Sequence, residues 1–477
     1  MLTTGAIVPS ANAAVVPHLR LIAPDTSTTA FTYGHRHRTY LDLGVLLEVT
    51  EAPFELVLRR SDYTQPVTIS QVLSSGSTTE TRAIDPSVMD GWKGLKDFFR
   101  VTVMSTRGQI VLNRTMRFCP NGYEQQRVND SGPPQPTYPD ACFSNPFTRG
   151  MVWGIDQGWA VPVLGYAGPR ARLLEGTYIA TVSIADPYVD MFQIDRQDAS
   201  VHLSVTVVHG EEGRCIKCPA PLDRARQERD GVAPPTTDSP DPSLLPDLVA
   251  LPSAGIDIQN RRSGKSFIDF GATVWNAGAT DLVVEGFRRS DAAVMDAFQY
   301  FYSDGEPVAR APVGELEYDS RPGHEHWHFQ QFAAYSLLDE NHQEVVLSTK
   351  EAFCLAPTDA LDLTLPGINL DPALGLSTAC GGSNSIWTRE TLPRGWGDTY
   401  YQGLPGQSFE ITDLPNGTYF IRVEANPAGL LFEQSAANNV EEREIVLGGE
   451  PGARTVEVPP WNGIDTEQHR HNGRPGA

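Results

Sequence analysis

The amino-acid sequence predicts an all-β protein built from two β-sandwich-like domains. Its 477 residues exceed the roughly 250 to 300 residues that one hydrophobic core usually serves. Short segments in which apolar and polar residues alternate recur along the chain, as is typical of half-buried strands. The 42 glycines and 37 prolines supply the frequent turns that such strands need. With 40% hydrophobic residues, the chain has enough apolar side chains for packed cores.

The first 14 residues contain a short apolar patch and a small-residue segment at Ala11–Ala13 that resembles a cleavage site. They lack the basic start and the full apolar stretch of a signal peptide. We therefore expect residues 1–14 to be either a signal remnant or disordered. No run in the sequence approaches the 18 or so apolar residues of a membrane span, so we expect none.

Residues 15–220 are predicted to form the N-terminal β-sandwich domain, to which the sequence assigns no role. Four alternating segments carry this prediction, and clusters of turn residues separate them. They are Phe54–Arg59, Phe99–Val103, Tyr178–Ser183 and Val201–Val207.

A proline-rich linker is predicted at residues 221–246, where five prolines fall between Gly231 and Pro246. Such a composition favours an extended, solvated chain. A second β-domain is predicted at residues 247–448, beginning with Ser266–Trp275 and ending with alternating segments such as Gly417–Ala425. Residues 449–477, rich in glycine, proline and polar residues, are expected to form a loosely ordered tail.

The balance of 37 basic against 59 acidic residues gives a formal net charge of −22. This charge argues against nucleic acid and anionic membranes as partners. It favours cationic partners, although a protein that is acidic only to stay dispersed would show the same balance.

Six cysteines fall into three pairs that are close in sequence, which favours disulfides and a secreted or cell-surface location. Cys215 and Cys218 have the spacing of half a zinc site, but no second ligand pair follows at the distance that zinc fingers use. We expect this pair to be a local disulfide or two reduced thiols.

Three of the 11 histidines, His324, His326 and His328, lie within five residues. On a strand they would share one face, and imidazole is a good ligand for copper, zinc, iron and nickel. On a straight strand the first and third would lie roughly 13 Å apart, so one ion could bind all three only if the backbone bends. Pro322 and Gly323 stand where that bend is needed. The alternative is a strand whose three histidines bind no metal.

Two families of metal enzymes fit this cluster poorly. A metallo-β-lactamase-like hydrolase would carry an aspartate where Trp327 stands, and a cupin would carry a glutamate where Gln330 and Gln331 follow. A zinc hydrolase that uses the same histidines with an activated water remains an alternative.

The histidine cluster and the segments after it resemble the catalytic core of the lysyl oxidase family. The resemblance extends over roughly residues 247–447 and is densest from Pro322 to Val440. It does not reach the N-terminal domain. The matching segments are His324–His328, Phe332–Asp339, Lys350–Leu355, Asp398–Tyr400, Ile411–Asp413, Gly417–Tyr419, Asn426–Pro427 and Asn438–Asn439.

This resemblance implies a copper-dependent amine oxidase in which the three histidines hold copper. It also implies that Lys350 and Tyr400 are cross-linked into lysine tyrosylquinone, a cofactor made from the protein itself. The implied reaction converts a primary amine, either a peptidyl lysine or an alkylamine, to an aldehyde with O2, releasing hydrogen peroxide and ammonia. Asp398 is a candidate catalytic base, and Cys354 is expected to pair with Cys380.

Some positions depart from the pattern of the family. Ala334 and Thr349 stand where the animal enzymes typically carry histidines, which leaves the proton transfers and the substrate preference open. Three acidic residues upstream of the cluster would attract a cationic substrate if they border the site, namely Glu315, Glu317 and Asp319. The competing interpretation is a non-catalytic, metal-binding β-sandwich protein of the adhesion or scaffold type.

Overall fold

The computed structural model describes residues 15–33, 37–75, 78–122, 124–142, 145–164, 168–210, 233–289, 294–321, 325–348, 352–370 and 380–469. Strands predominate in this part of the chain, so the prediction of an all-β fold is confirmed. Within the described residues, helix is limited to α1 (Asp186–Met191) and to short 3-10 turns at Pro86–Val88, Pro242–Leu244 and Thr466–His469. Among these described elements, no helix has the length and hydropathy to cross a membrane.

The chain divides into two compact units that do not follow a single cut in the sequence. The N-terminal unit comprises Met1–Arg59, Val67–Cys142 and Val152–Pro219. The C-terminal unit comprises Ala220–Ala477 together with two short segments from the first half of the chain, Arg60–Pro66 and Phe143–Met151.

The strands of the first half form three sheets within the described residues. The strands are β1 (His18–Ile22), β2 (Ser27–Tyr33), β3 (Arg38–Tyr40), β4 (Leu46–Thr50), β5 (Phe54–Arg59), β6 (Thr68–Ser75), β7 (Thr78–Ile84), β8 (Leu95–Ser105), β9 (Ile110–Phe118), β10 (Gln126–Arg127), β11 (Gly150–Ile155), β12 (Trp159–Pro162), β13 (Arg170–Arg172), β14 (Gly176–Ile184) and β15 (Ser200–His209). The orders of the three sheets are β1-β4-β12-β10, β11-β5-β6-β7 and β13-β3-β2-β15-β14-β8-β9, and β2 runs parallel to β15.

Aromatic side chains form the core of the N-terminal unit. Phe98 on β8 packs within 4.9 Å of Phe118 on β9, and Phe192 packs edge-on at 5.0 Å against Phe54 on β5. The alternation of β5 explains this, because Phe54, Leu56 and Leu58 all point inward and are fully buried. A disulfide between Cys119 and Cys142 also lies in this unit, whereas Cys215 and Cys218 fall outside the described residues.

The described strands of the second half also form three sheets. The strands are β16 (Leu248–Ala250), β17 (Ala254–Asn260), β18 (Ser266–Asn276), β19 (Leu282–Arg288), β20 (Val294–Ser303), β21 (Glu306–Asp319), β22 (His326–Gln330), β23 (Ala333–Leu338), β24 (Glu344–Leu347), β25 (Ala352–Phe353), β26 (Asp359–Ala360), β27 (Trp387–Leu392), β28 (Trp396–Tyr400), β29 (Ser408–Glu410), β30 (Gly417–Ala425), β31 (Val440–Glu450) and β32 (Ala453–Glu457). The first sheet has the order β16-β18-β28-β26, with β17 and β29 also paired to β18. The orders of the other two sheets are β25-β22-β21-β20-β19-β27 and β24-β23-β30-β31-β32.

One buried aromatic residue from each of these three sheets meets at the centre of the C-terminal unit. Phe270 on β18 lies 5.5 Å from Tyr335 on β23, and Tyr335 lies 5.8 Å from Phe353 on β25. All three side chains are almost fully buried. Because edge-to-face ring pairs favour particular orientations, this cluster fixes how the three sheets pack. Tyr400 sits at its margin, with its ring 4.8 Å from that of Phe353.

The segment Phe143–Met151 is part of the core of the C-terminal unit. Phe147 is 1% exposed and packs in a cluster with Leu251, Trp275 and Leu361, against which Tyr63 and Trp461 also pack. The backbone N–H of Arg149 donates to the Leu361 carbonyl at 2.6 Å, so the segment is also hydrogen-bonded in place.

Asn145, in the same segment, is 3% exposed and reaches the strand that carries Tyr400. Its side-chain amide donates to the hydroxyls of Thr273 at 3.1 Å and Thr399 at 3.3 Å, and lies 3.5 Å from Asp359. The two threonine hydroxyls are themselves 2.8 Å apart. This network holds strand β28 from the side opposite to Tyr400, because successive side chains of a strand point to opposite faces.

The linker at residues 221–246 remains a prediction, but its described part, residues 233–246, makes several contacts within the C-terminal unit. The N–H of Thr237 donates to the Arg310 carbonyl at 2.8 Å, and Leu245 is buried in a cluster with Phe301 and Ala311. Leu244 and Leu245 lie between Pro242 and Pro246, and burying Leu245 with part of Leu244 removes apolar surface from water.

The prediction of a loosely ordered tail is wrong for Ala453–Glu457, which pairs with β31. Arg454 in this strand is 5% exposed, and its guanidinium donates to the Thr412 carbonyl at 2.9 Å and to the Asn416 side chain at 2.7 Å. The composition of the tail suggested disorder, but these hydrogen bonds to a buried cation hold the strand in place.

Asp269 on β18 provides a pH-dependent contribution to stability. Burial raises its pKa to about 6, and the Asp257 carboxylate on the neighbouring strand adds to the rise while Arg261 opposes it. Since the folded state then holds its proton more tightly than the unfolded state, this contribution is lost as pH rises from about 4 through 6. We expect Asp269→Asn to be more stable than the parent by about 1 kcal/mol at pH 7.5, after allowing for solvent screening, and to gain nothing at pH 4.

Urea unfolding at the two pH values tests this expectation. The control is Glu306→Gln, which neutralises an exposed acidic residue on β21. An equal effect of the two substitutions would show that net charge, and not the buried carboxyl, sets the pH dependence.

Candidate active site

Strand β22 presents two histidines side by side. His326 and His328 point to one face of the strand, and the fully buried Trp327 and Phe329 point to the other. The centroids of the two imidazole rings are 4.6 Å apart. The regular strand begins at His326, and His324 lies outside the described residues. Two adjacent imidazoles on one face are a donor set that fits a late first-row metal ion such as copper.

A carboxylate supports this pair from the neighbouring strand. Asp319 on β21 lies opposite His326, and its Oδ2 is 3.8 Å from Nδ1 of the buried His328. A carboxylate beside an imidazole favours one ring orientation and one tautomer, which is the usual outer support of a metal-binding histidine. Arg321 also pairs with Asp319, at 2.5 Å, so this carboxylate is shared between a cation and the histidine.

The three acidic residues noted in the sequence share the histidine face. Glu317 lies opposite His328 on the paired strand, and Glu315 and Asp319 follow the same alternation on β21. Glu317 accepts from the Gln330 amide at 3.1 Å, and Glu315 pairs with Arg289 at 2.6 Å. The acidic residues therefore border the histidines, although arginines compensate part of their charge.

Strand β28 carries the other two described candidates, Asp398 and Tyr400. They are two residues apart and so share a face of the strand, which is paired to β18. Asp398 is 3% exposed, whereas Tyr400 retains some exposed surface. Asp398 is thus a carboxyl group buried beside a phenol.

The hydroxyl group of Tyr400 is held by both backbone polar atoms of one residue. It accepts from the N–H of Cys354 at 3.1 Å and donates to the Cys354 carbonyl at 3.2 Å. We call this pair of hydrogen bonds the Cys354 bracket. Lys350 lies outside the described residues, but it precedes Cys354 by only four positions. On the other side, the Ser348 N–H donates to the Tyr335 carbonyl at 2.9 Å. The chain is therefore anchored in the same core on both sides of Lys350.

The Cys354 bracket is connected to the histidine strand by two routes. Strand β25 pairs with β22 through Phe353 and Phe329. In addition, Cys354 forms a disulfide with Cys380, whose carbonyl accepts from the N–H of Trp327 at 3.0 Å. The expected pairing of Cys354 with Cys380 is confirmed, and it ties the bracket to the residue between His326 and His328.

The surroundings of Tyr400 keep its hydroxyl protonated. Burial raises the pKa of the Tyr400 phenol well above its ordinary value, and the nearby carboxyl of Asp398 raises it further. Tyr335 and Glu390 act in the same direction, while the N–H of Cys354 opposes them by favouring the phenolate. At neutral pH the side chain is therefore a neutral phenol.

Glu390, on β27, is a member of this site that the sequence did not reveal. Its side chain is fully buried, and its Oε2 accepts from the N–H of Leu355 at 2.9 Å. Burial raises the pKa of Glu390 well above its ordinary value, and Asp398 adds to the rise. The surrounding segment, Thr388–Thr391, consists of polar and charged residues and resembles an exposed strand, so no signal in the sequence marked it.

A comparison with protein families gives a match that contains these residues. A family model described as lysyl oxidase matches residues 299–455. Residues 299–455 therefore form a lysyl oxidase domain. The matched range includes both described histidines of β22, the Cys354–Cys380 disulfide, and Asp398 and Tyr400 on β28.

Curated proteins similar to this lysyl oxidase domain carry matching names. Protein-lysine 6-oxidase of Homo sapiens is 32% identical over 128 residues, which make up 26% of this chain and 27% of that protein. For the Sus scrofa protein of the same name, the identity is 32% over 128 residues, or 45% of that sequence. Lysyl oxidase homolog 2 of Gallus gallus is 26% identical over 159 residues, or 18% of its length. The chain therefore spans less than half the length of these relatives.

The disulfide in the lysyl oxidase domain leads to a first prediction about this site. It closes a separation of 26 residues, so Cys354→Ser should lower the free energy of unfolding by about 3 kcal/mol. It should also loosen the Cys354 bracket and slow any reaction that depends on the position of Tyr400. Chemical denaturation tests the first effect, and the rate of the Lys350–Tyr400 cross-linking that the family resemblance implies tests the second.

Cys119→Ser is the matched control, since its disulfide closes a similar separation of 23 residues in the other unit. We expect a comparable loss of stability and no change in the rate of the implied Lys350–Tyr400 cross-linking. Equal slowing by both substitutions would contradict the role of the bracket.

Proposed function

We propose that the C-terminal unit catalyses the copper-dependent oxidative deamination of primary amines by O2. Water is the other reactant, and the products are an aldehyde, hydrogen peroxide and ammonia. The observation that carries the proposal is the Cys354 bracket. It holds the phenol of Tyr400 at Cys354, which is four positions after Lys350 in the sequence, and a disulfide ties it to the histidine strand. A non-catalytic metal-binding protein would not need a buried phenol at that point.

Copper would be held by His324, His326 and His328. The adjacent rings of His326 and His328 fit such an ion, and Asp319 is placed to orient one of them. Copper supplies the redox chemistry with O2 by which a phenol is converted to a quinone. The protein fixes where the phenol lies during that conversion.

Lys350 and Tyr400 would be joined as lysine tyrosylquinone, which supplies a carbonyl electrophile for the substrate amine. The surroundings fit this role because the hydroxyl of Tyr400 is enclosed, protonated and held by the Cys354 bracket. The bracket fixes one ring oxygen, so the ring can present the same edge to Lys350 each time.

Asp398 would accept the proton from the α-carbon of the bound amine. It is buried on the same face of β28 as Tyr400, and a general base must lie within reach of the proton that it removes. In a site with little water, an ionised carboxylate is also a stronger base than in solution.

The proposed substrate is a protonated primary amine, either a lysyl side chain of a protein or a smaller alkylamine. Glu317 and Asp319, which share the face of the histidines, would favour the approach of such a cation. The names of the relatives state lysine in a protein as their substrate. The proposed location is outside the cell or at its surface, where disulfides persist and O2 is available.

The test is an intact-mass and peptide-map measurement on protein incubated with copper in air. A cross-link between the peptides that contain Lys350 and Tyr400, absent in Lys350→Ala, would support the proposal. Hydrogen peroxide release from alkylamines, blocked by a carbonyl reagent, should accompany it. Copper bound with both residues unmodified would overturn the proposal in favour of a metal-stabilised scaffold.

A further inference from the structure

Glu390 is a buried acidic side chain that the proposed reaction does not use. It is 0% exposed, and within the described structure its Oε1 has no hydrogen-bond partner. Its other oxygen, Oε2, accepts from the N–H of Leu355. An ionised carboxylate with an unsatisfied oxygen in a dry interior is very costly, whereas a neutral carboxylic acid is tolerated. The geometry therefore favours a protonated side chain.

The position of Glu390 links it to Tyr400 through the backbone. Cys354 binds the hydroxyl of Tyr400 with both its N–H and its carbonyl, and the next residue, Leu355, donates its N–H to Glu390. The two side chains thus bind successive residues of one short segment. Glu390 holds that segment by accepting from the Leu355 N–H, and the segment in turn holds the hydroxyl of Tyr400.

Other ionisable groups lie near this arrangement. Asp398 acts on Glu390, on Tyr400 and on Tyr335 by raising the pKa of each. Arg389 precedes Glu390 in the sequence and forms a buried ion pair with Glu285, but its side chain points to the opposite face of β27. The charged group that acts on Glu390 is therefore the Asp398 carboxyl, and it raises the pKa of Glu390 further.

We propose that Glu390 is a positioning residue that stays a neutral carboxylic acid, so that Asp398 carries the single negative charge of the pair and the Cys354 bracket keeps its geometry. Two buried carboxyl groups that interact cannot both ionise without a large penalty. The surroundings of Glu390 therefore favour the neutral acid and leave the negative charge to Asp398. Paired carboxyl groups in enzymes divide the roles of acid and base in the same way. This inference rests on the proposed functions of Tyr400 and Asp398 and assigns a role to a residue outside them.

Two substitutions separate the position of Glu390 from its charge. Glu390→Gln keeps an oxygen for the Leu355 N–H and resembles the neutral acid in shape, whereas Glu390→Ala removes that acceptor. We expect the alanine variant to slow cross-link formation between Lys350 and Tyr400 by about 100-fold, the scale of a small misplacement of a reacting group. The glutamine variant should recover most of that loss.

Two measurements on copper-free protein report the protonation of Glu390 without any oxidase reaction. The infrared spectrum of the parent at neutral pH should show the carbonyl stretch of a protonated carboxylic acid, which Glu390→Gln should lack. The free energy of unfolding of the parent should also fall as pH rises above the ordinary pKa of a glutamate, since the folded state holds the proton more tightly. Glu390→Gln should reduce that slope.

The outcomes distinguish this inference from the proposed function. An infrared band without any cross-link in the parent would support a neutral Glu390 and overturn the oxidase. A cross-link in the parent with no protonated-acid band would overturn the inference and keep the oxidase. A glutamine variant that folds but is as slow as the alanine variant would also overturn it, because the negative charge would then be required.

Discussion

Replacing Tyr400 with phenylalanine is expected to abolish amine oxidation while leaving the protein folded. The substitution keeps the edge-to-face contact with Phe353 and removes only the hydroxyl that becomes a quinone oxygen on the proposed function. The rate of hydrogen peroxide release should fall at least about 1,000-fold, as is usual when a group that takes part in the chemistry is removed. Stability should fall by about 1–3 kcal/mol, because the N–H and carbonyl of Cys354 lose their partner.

The matched control for this experiment is the next residue in the chain. Tyr401 is 42% exposed, and Tyr401→Phe makes the same chemical change one position away, just beyond the end of β28. We expect it to keep both the cross-link and the activity. An active Tyr400→Phe variant, or an inactive Tyr401→Phe variant with normal copper binding, would contradict the assignment of Tyr400.

Truncating Phe147 is expected to destabilise the C-terminal unit although the residue lies more than seventy positions before Ala220, where the main segment of that unit begins. Phe147→Ala would leave a cavity among Leu251, Trp275 and Leu361, at a cost of about 3–5 kcal/mol. Because the neighbouring Asn145 network supports the strand of Tyr400, copper binding and cross-link formation should be lost at a lower temperature than in the parent. Thermal unfolding followed by both readouts would measure the shift.

Phe192→Ala provides the comparison in the N-terminal unit. Phe192 is also fully buried in an aromatic cluster, so the intrinsic cost of its truncation is similar. We expect it to lower the stability of that unit and to leave the temperature at which copper is released unchanged. If both phenylalanine variants release copper at the same lowered temperature, the segment Phe143–Met151 has no special role in the C-terminal unit.

The parts of this protein that the sequence predicted well are those with a short-range signal. Alternating segments gave the all-β class because a half-buried strand imposes a period of two. The spacing of His326 and His328 placed both on one face of a strand, as found. The order and spacing of the segments around Asp398 and Tyr400 identified them through resemblance, since composition alone would not distinguish Tyr400 from Tyr401.

The features that the sequence did not predict depend on contacts between residues that are far apart in the sequence. Nothing local to Phe147 indicates that it packs with Leu361, because the pairing is set by the folded topology. Glu390 lies in a polar segment that is buried in the folded protein, where the segment pairs with β19 and Glu390 accepts from the Leu355 N–H. The strand at Ala453–Glu457 forms because Arg454 finds buried acceptors, although its composition resembles a tail.

On the proposed function, the disulfide between Cys354 and Cys380 would impose an order of events on the maturation of this protein. On the proposed function, copper arriving before that bond forms would meet a phenol whose bracket is not yet fastened to the histidine strand. Oxidative folding would then come first, and self-processing of Lys350 with Tyr400 second. A chain kept in a thiol-reducing compartment would stay a latent precursor, so delivery to an oxidising compartment would itself act as the activating step.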